Sequence, residues 1–361
     1  AGLPAASILR LPSFGAAILG PLQALVFSLQ VTLLHLLLHG ILRRPRPDVI
    51  YSVVPYLASC DVAHGHFSPW DYEWRLGQLG AKSLRERLEN LAMKIYRLWH
   101  DGFLLICRAR LLLVPSKSVA ADFQARVEGL RVEVLPNAFD PARFHPGVRE
   151  AWREQARAEL GFKSAETVFI FVSTGHYRRK GFFLAVGAVE QLRARGHAAR
   201  LLVVGGKPKT LERLQQTLDA TNAGWREWMA FTGSTPAPEK YFAAADGFLF
   251  PSYSEAFALV EVEAAACGLP LFLTPHHGSE MILEDGQNGR LIPFDADGIA
   301  QVLEEFISGR WQPACTGARA AFDGEAFAGA LIGWLEFAAR ESAKELKSGD
   351  ADRAICANAP S

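Results

Sequence analysis

The chain lacks any surplus of charge: 38 lysines and arginines stand against 38 aspartates and glutamates in 361 residues. A nucleic-acid binder needs a positive excess to neutralise phosphates, so that class is excluded, leaving room only for a local basic pocket that takes a small anion. Cysteine is scarce, with five residues (Cys60, Cys107, Cys267, Cys315 and Cys356) far apart and no Cys-x-x-Cys pair. An odd, scattered set with no histidine at ligand spacing argues against a disulfide framework and structural zinc. It fits a reducing compartment, with Cys60 and Cys267 as small core residues. No G-x-G-x-x-G and no G-x-x-x-x-G-K-[ST] occurs, which removes support for a nicotinamide dehydrogenase or a P-loop phosphotransferase. Internal repeats are missing too, and only the tail 343–361 reads as frayed.

An uninterrupted membrane span is also lacking. The most apolar stretch, Phe14 to Leu42, is broken by Pro21, Gln23, Ser28, Gln30, Thr32, His35 and His39. Such polar groups are costly at a bilayer centre, so the stretch is expected to be a covered helix of a first domain, with membrane-surface contact as the second reading and a span as the last. The opening residues show no basic region followed by an apolar core, so no secretory signal is expected.

What is present is the composition of a globular protein, 50% apolar and 21% charged, at a length that suggests two domains. Strands are expected at 48–54, 60–67, 111–114 and 132–135, with helices at 83–106 and 117–128. A stretch rich in Pro, Asn and Asp, 136–150, reads as a linker. Beyond it, strands at 168–172, 200–204, 229–232, 247–250, 270–274 and 289–292 alternate with helices at 181–194, 209–221, 238–244, 258–267, 278–283 and 296–308. Such alternation predicts an α/β domain with a parallel sheet, a Rossmann-like architecture whose ligands bind at the carboxyl ends of the strands.

Two of the following loops carry chemistry. After the strand ending at Val172, Thr174 begins a turn containing Arg178, Arg179 and Lys180, cations suited to a diphosphate. After Phe250, Glu255 lies in a loop and Glu263 about two turns into the next helix. The backbone N–H groups of Ala256, Phe257, Ala258 and Leu259 at that helix N-terminus suit an anion, whereas carboxylates suit hydroxyl donors. Gly205, at the end of LLVV, could let backbone approach a phosphate or could simply turn. In the first domain, His64 and His66 end an apolar run, with His66 beside a loop expected to open at Phe67-Ser68-Pro69. Trp70, Tyr72 and Trp74 are either an acceptor platform or core.

The run PSYSEAFALVEVEAAACGLP resembles the Glu-x7-Glu signature of family 4 retaining glycosyltransferases, Glu255 and Glu263 standing eight apart. VPSKSV, LPNAFDPARF, RRKG, LLVVGG, FTGS, YFAAADGFLFPS and LTPHHGSEMILEDGQNGRLIP extend the resemblance over about residues 110 to 295. Some segments look more like the lipopolysaccharide core glucosyltransferase I branch. The resemblance implies a GT-B fold, two Rossmann-like domains facing a cleft: 1–145 on the acceptor side, 146–325 binding the donor, and 326–361 a C-terminal helix and tail. The first domain is expected to be truncated at its amino end, since the opening strand-helix units of relatives have no counterpart.

The resemblance further implies that Glu255 contacts the donor sugar and Glu263 the ribose, with His66 facing the reaction centre. No cofactor or metal is expected beyond a nucleotide diphosphate sugar as donor. The acceptor is a glycan or glycolipid, and the setting is the cytoplasm or the inner membrane face, in polysaccharide biosynthesis. A nucleotide-sugar epimerase or phosphorylase, and a non-catalytic nucleotide-sugar binder, are the competing functions.

Overall fold

The structure is a computed structural model describing residues 30, 32–42, 47–53, 60–80, 87–88, 90–95, 97–98, 109–222, 224–314 and 322–348. It divides into two compact units, one of Ala1–Val114, Ala120–Val134 and Leu331–Ser361, the other of Pro115–Val119 and Leu135–Ala330.

The first unit holds a parallel sheet in the order β1 (Tyr51–Val53), β2 (Val62–His64), β3 (Leu111–Val114) and β4 (Arg131–Val134). Its central strands β2 and β3 are buried throughout, as expected of apolar runs covered on both faces. Helix α1 (Pro69–Leu79) replaces the loop expected at 67–69: Ser68 caps it by accepting from the Asp71 N–H at 3.2 Å, and Pro69 fits the first turn, where no amide donor is needed. Helix α2 (Lys117–Gln124) follows β3.

Two expectations change in this unit. The apolar stretch 14–42 is described only from residue 30, where it is helical and passes into a π-helix at Leu36–Ile41. Leu33, Leu36, Leu37, Ile41 and Leu42 are exposed there, so this portion is not a covered helix. The helix expected at 83–106 is described in part, at 87–88, 90–95 and 97–98, and is helical there. Among the described residues no helix is long and apolar enough to cross a membrane.

The second unit is built on a six-stranded parallel sheet containing β5 (Thr167–Val172), β6 (Ala199–Val204), β7 (Met229–Gly233), β8 (Gly247–Phe250), β9 (Leu271–Leu273) and β10 (Gly289–Leu291). Their spatial order is β10-β9-β8-β5-β6-β7, so the chain starts at the centre, winds to one edge and returns to build the other. That is the doubly wound order, with its switch point between β5 and β8. Helices α3 (Gly147–Glu159), α4 (Phe182–Ala194), α5 (Pro208–Thr221), α6 (Glu239–Ala244), α7 (Leu259–Ala266), α8 (Ser279–Ile282) and α9 (Ala296–Ile307) belong to it. A core of Phe169, Phe171, Phe248, Phe250 and Phe272, all fully buried, runs through the sheet.

The expected linker 136–150 is overtaken at Gly147 by α3, a polar helix whose arginines recur every four residues. This spacing aligns Arg149, Arg153 and Arg157 on one face, toward the end of α6 and the start of β8. Arg149 and Arg153 donate to the Ala245 carbonyl at 2.8 and 2.9 Å, and Arg157 to that of Ala244 at 3.0 Å. All three pair with Asp246, at 3.4, 2.5 and 3.2 Å. Asp246 in turn accepts from the Val168 N–H at 2.9 Å while its own N–H donates to the Val168 carbonyl at 2.7 Å. Cations thus satisfy the free carbonyls of a helix C-terminus, and one carboxylate ties β8 to β5. The final helix, α10 (Gly324–Ser348), runs past the point where fraying was expected, and 349–361 lie outside the described residues.

Asp246→Ala leaves the buried Arg157 guanidinium without its carboxylate and is expected to cost about 3 kcal/mol in urea unfolding. A loss below about 1 kcal/mol would show that the α6 carbonyls suffice to hold the arginines.

Candidate functional site

The switch point between β5 and β8 places the segments 173–181 and 251–258 side by side at the carboxyl edge of the sheet. They are stitched together. The Tyr253 N–H donates to the Arg179 carbonyl at 2.9 Å, and the Arg179 guanidinium donates to the Ser254 carbonyl. Gly181 has φ +74°, and a Cβ there would stand 1.9 Å from the Pro251 carbonyl oxygen, so only glycine lets the two backbones come this close.

This junction assembles several of the residues singled out in the sequence. Glu255 accepts from Ser252 Oγ at 3.0 Å, and its Oε1 lies 3.6 Å from Arg179 Nη1 and 3.7 Å from Lys180 Nζ. Lys180 also sits over the Phe250 ring, 5.1 Å from its centroid. Arg178 is near enough to Tyr253 to oppose the burial that raises its phenol. Helix α7 begins at Leu259 with Ala258 as its N-cap, a residue that has no side-chain oxygen to satisfy the first-turn N–H groups. Thr174 is exposed in the turn after β5.

Gly205 lies at the neighbouring strand end, its carbonyl accepting from the buried Tyr177 hydroxyl at 3.0 Å and its N–H donating to Gly233. The surroundings found for it are this protein's own backbone and Tyr177.

Glu263, one turn beyond the start of α7, is half-buried, and burial pushes its carboxyl up to about 7, with Arg143 opposing the shift and Glu239 adding to it. Arg143 is engaged by Glu239 and the Pro236 carbonyl, both at 2.7 Å. Burial likewise pushes the Cys267 thiol up to about 12, as befits an inert core cysteine.

One buried acid escaped the sequence reading. Glu261, absent from the candidate residues named in the sequence, is fully buried and pairs with His276 Nε2 at 2.6 Å. The only available signal was its position two residues from Glu263 on a helix with little polar surface.

In the first unit His66 is half-buried and its ring lies tilted against that of buried His64, with centroids 4.4 Å apart. Burial, then the charge of His66, lowers the His64 pKa to about 4, so its ring is neutral at ordinary pH and shares a 2.6 Å hydrogen bond with the Tyr51 hydroxyl. Burial lowers His66 as well. Trp70 packs edge-on against Phe123 while Trp74 is exposed. Among the described residues no cluster of His, Cys, Asp and Glu could hold a metal ion.

A doubly wound sheet with cations and carboxylates gathered at its switch point defines a domain of the kind that binds nucleotides. Residues 166–308 match the family model "Glycosyl transferases group 1". It is 36% identical over 168 residues to D-inositol 3-phosphate glycosyltransferase of Nocardia farcinica, covering 45% of this chain and 36% of that protein. To the lipopolysaccharide glucosyltransferase WaaG of Escherichia coli it is 29% identical over 205 residues, 55% of this chain and 53% of that one. The chain thus spans about half, or less, of the length of these curated relatives.

Among solved structures, Anabaena Alr3699/HepE in complex with UDP-glucose aligns with a TM-score of 0.56 at 20% identity, over 88% of this chain and 76% of that one. The fold is GT-B, built from two Rossmann-like domains.

The raised Glu263 carboxyl has a thermodynamic consequence. Its folded-state pKa of about 7 exceeds the ordinary 4.5, so the folded chain holds this proton more tightly than the unfolded one. The contribution of this group to stability therefore falls as pH rises from 4.5 through about 7. Glu263→Gln is expected to raise Tm relative to wild type at about pH 8, with the difference shrinking toward about pH 5. An equal Tm difference at both pH values would contradict the assigned burial.

Proposed function

We propose that this chain is part of a retaining glycosyltransferase that moves a hexose from a nucleotide diphosphate sugar to a glycan or lipid-linked acceptor in cell-envelope or polysaccharide biosynthesis. The observation that carries the reading is the junction of the β5 and β8 loops, where Glu255, Arg179, Lys180 and the start of α7 share one edge of the sheet. The UDP-glucose complex of the Anabaena protein and the glycosyltransferase names of the curated relatives support it. The reaction is placed in the cytoplasm or at the inner face of the membrane.

In this reading the diphosphate rests on the N-terminus of α7, with Arg178, Arg179 and Lys180 and the backbone N–H groups from Ala256 to Leu259 opposing its charge. Thr174 and Gly205 border the same edge. Glu263 accepts hydrogen bonds from the ribose hydroxyls and Glu255 from the sugar, and His66 helps to position the sugar. Fixed cations take the place of a divalent metal at the leaving group. Glu255 is committed to sugar hydroxyls, so it is poorly placed as a nucleophile on the opposite face or as a base for the acceptor. Transfer is therefore on the front face: a departing phosphate oxygen takes the acceptor proton, and the anomeric configuration is retained.

The two glutamates are expected to separate kinetically. Glu263→Ala raises the Kd for nucleoside diphosphate about tenfold or more, whereas Glu255→Ala does not raise that Kd and lowers turnover. Unchanged nucleotide affinity in Glu263→Ala would remove the ribose assignment.

The reaction itself is tested by incubating the protein with candidate nucleotide sugars and acceptors in the presence of EDTA and assigning the product anomer by NMR. An α-linked product from an α-linked donor is expected. A β-linked product would place the protein with inverting enzymes, and activity restored only by added manganese would assign the leaving group to a metal.

A further inference from the structure

The buried Glu261–His276 pair lies outside every role assigned above. Both side chains have no exposed surface, and the carboxylate Oε1 meets His276 Nε2 at 2.6 Å. The second carboxylate oxygen, Oε2, is buried with no hydrogen-bond partner among the described residues. Such a pair is a poor stability device, because an apolar pair of similar volume would pack at least as well without desolvating a carboxylate. Its presence calls for a reason in geometry.

That reason is what the two residues connect. Glu261 stands in the first turn of α7, the helix whose start faces the proposed diphosphate. His276 stands in the loop 274–278 that follows β9, and this loop leans on the β8–α7 segment at both of its ends. At one end Thr274 Oγ1 donates to the Ser252 carbonyl at 2.5 Å. At the other, Gly278 adopts φ +89°, and a Cβ there would come within 2.7 Å of Phe257 Cα and 2.8 Å of the Ala256 carbonyl oxygen.

Between these ends, His276 is the side chain that reaches under α7. Ser279 locks its backbone, with Oγ donating to the His276 carbonyl at 2.6 Å, and its ring stands edge-on to Phe250, 6.3 Å between centroids. Lys180 covers the same Phe250 ring.

We infer that Glu261 and His276 are positioning residues of the donor site: the pair clamps the 274–278 loop against Ala256 and Phe257 and thereby sets the direction of the backbone N–H groups at the start of α7. The inference rests on the proposed function, since it supposes that those N–H groups meet a diphosphate. The pair touches no reacting atom, and its effect is transmitted through backbone. Polar linkage matters here more than volume, because the loop could pack on an apolar side chain without being held at one height.

The test uses the full chain, with UDP, GDP and ADP as probes in titration calorimetry. Glu261→Leu and the doubly apolar E261L/H276L fill the space but break the link. They are expected to raise the Kd of whichever nucleotide wild type binds by about tenfold, equivalent to about 1.4 kcal/mol. Glu261→Gln keeps the shape and one hydrogen bond to the ring, and is expected to stay within about twofold of wild type. Amide hydrogen exchange supplies a readout that loss of stability alone does not give: residues 256–259 and 276–279 exchange faster in the apolar variants, while β5 stays protected.

Wild-type affinity and unchanged exchange in a folded E261L/H276L chain would overturn the positioning role while leaving the functional reading intact. If Glu261→Leu alone fails to fold, the double variant decides, because it leaves no unpaired histidine behind. A wild-type chain that binds none of the three nucleotides would overturn the functional reading and the positioning role with it.

Discussion

The second unit depends on one carboxylate. Asp246 holds the first backbone positions of β5 and β8 together and draws three arginines of α3 onto the end of α6. Those two strands flank the switch point, so the contact that fixes their lower ends also fixes where their upper ends release the chain. The separation of the 173–181 and 251–258 segments follows from this. Gly181 against Pro251 and Arg179 against Ser254 then close the seam. A carboxylate shared among three guanidiniums and a backbone amide is fully satisfied, which is what makes a charge at this depth tolerable.

Much of the sheet was legible in the sequence for a simple reason. Strands such as VFIFV and GFLF are covered on both faces, so they are written as unbroken apolar runs, and the helices between them carry apolar stripes. The elements that escaped are those whose partners are polar. Helix α3 is polar overall and is held by arginine contacts to carbonyls and to Asp246, so its short apolar stripe of Val148, Trp152 and Ala156 is outweighed by the Pro, Asn and Asp that precede it. The start of α1 was hidden in a Ser-Pro pair that reads equally as a turn and as a helix cap.

The candidate site shows the same division. Glu255, Arg179 and Lys180 could be named from their places after strand ends, and the fold brings them together. Glu261 could not be named, because a glutamate on a helix is ordinarily a solvated residue, and only the chain folding His276 beneath α7 makes it otherwise. Sequence pattern conveys which face of an element is apolar. It does not convey that two polar groups distant in the chain will find each other in the interior.

The pairing of Glu255 with Arg179 and Lys180 has a consequence for selectivity. The site carries its own counter-ion, so a phosphate that enters must take cations already in use. A carboxylate relieved of those partners is left to face an anion unless hydroxyl donors arrive in the same molecule. Under the proposed function the transferred sugar supplies them to Glu255, whereas a spent nucleoside diphosphate has only its ribose hydroxyls, which go to Glu263. The exchange therefore penalises the product relative to the intact donor, an asymmetry that would show as weaker binding of nucleoside diphosphate than of nucleotide sugar. Equal affinities would mean that Glu255 keeps its cations throughout. An internal salt bridge in this position is thus a device for letting go.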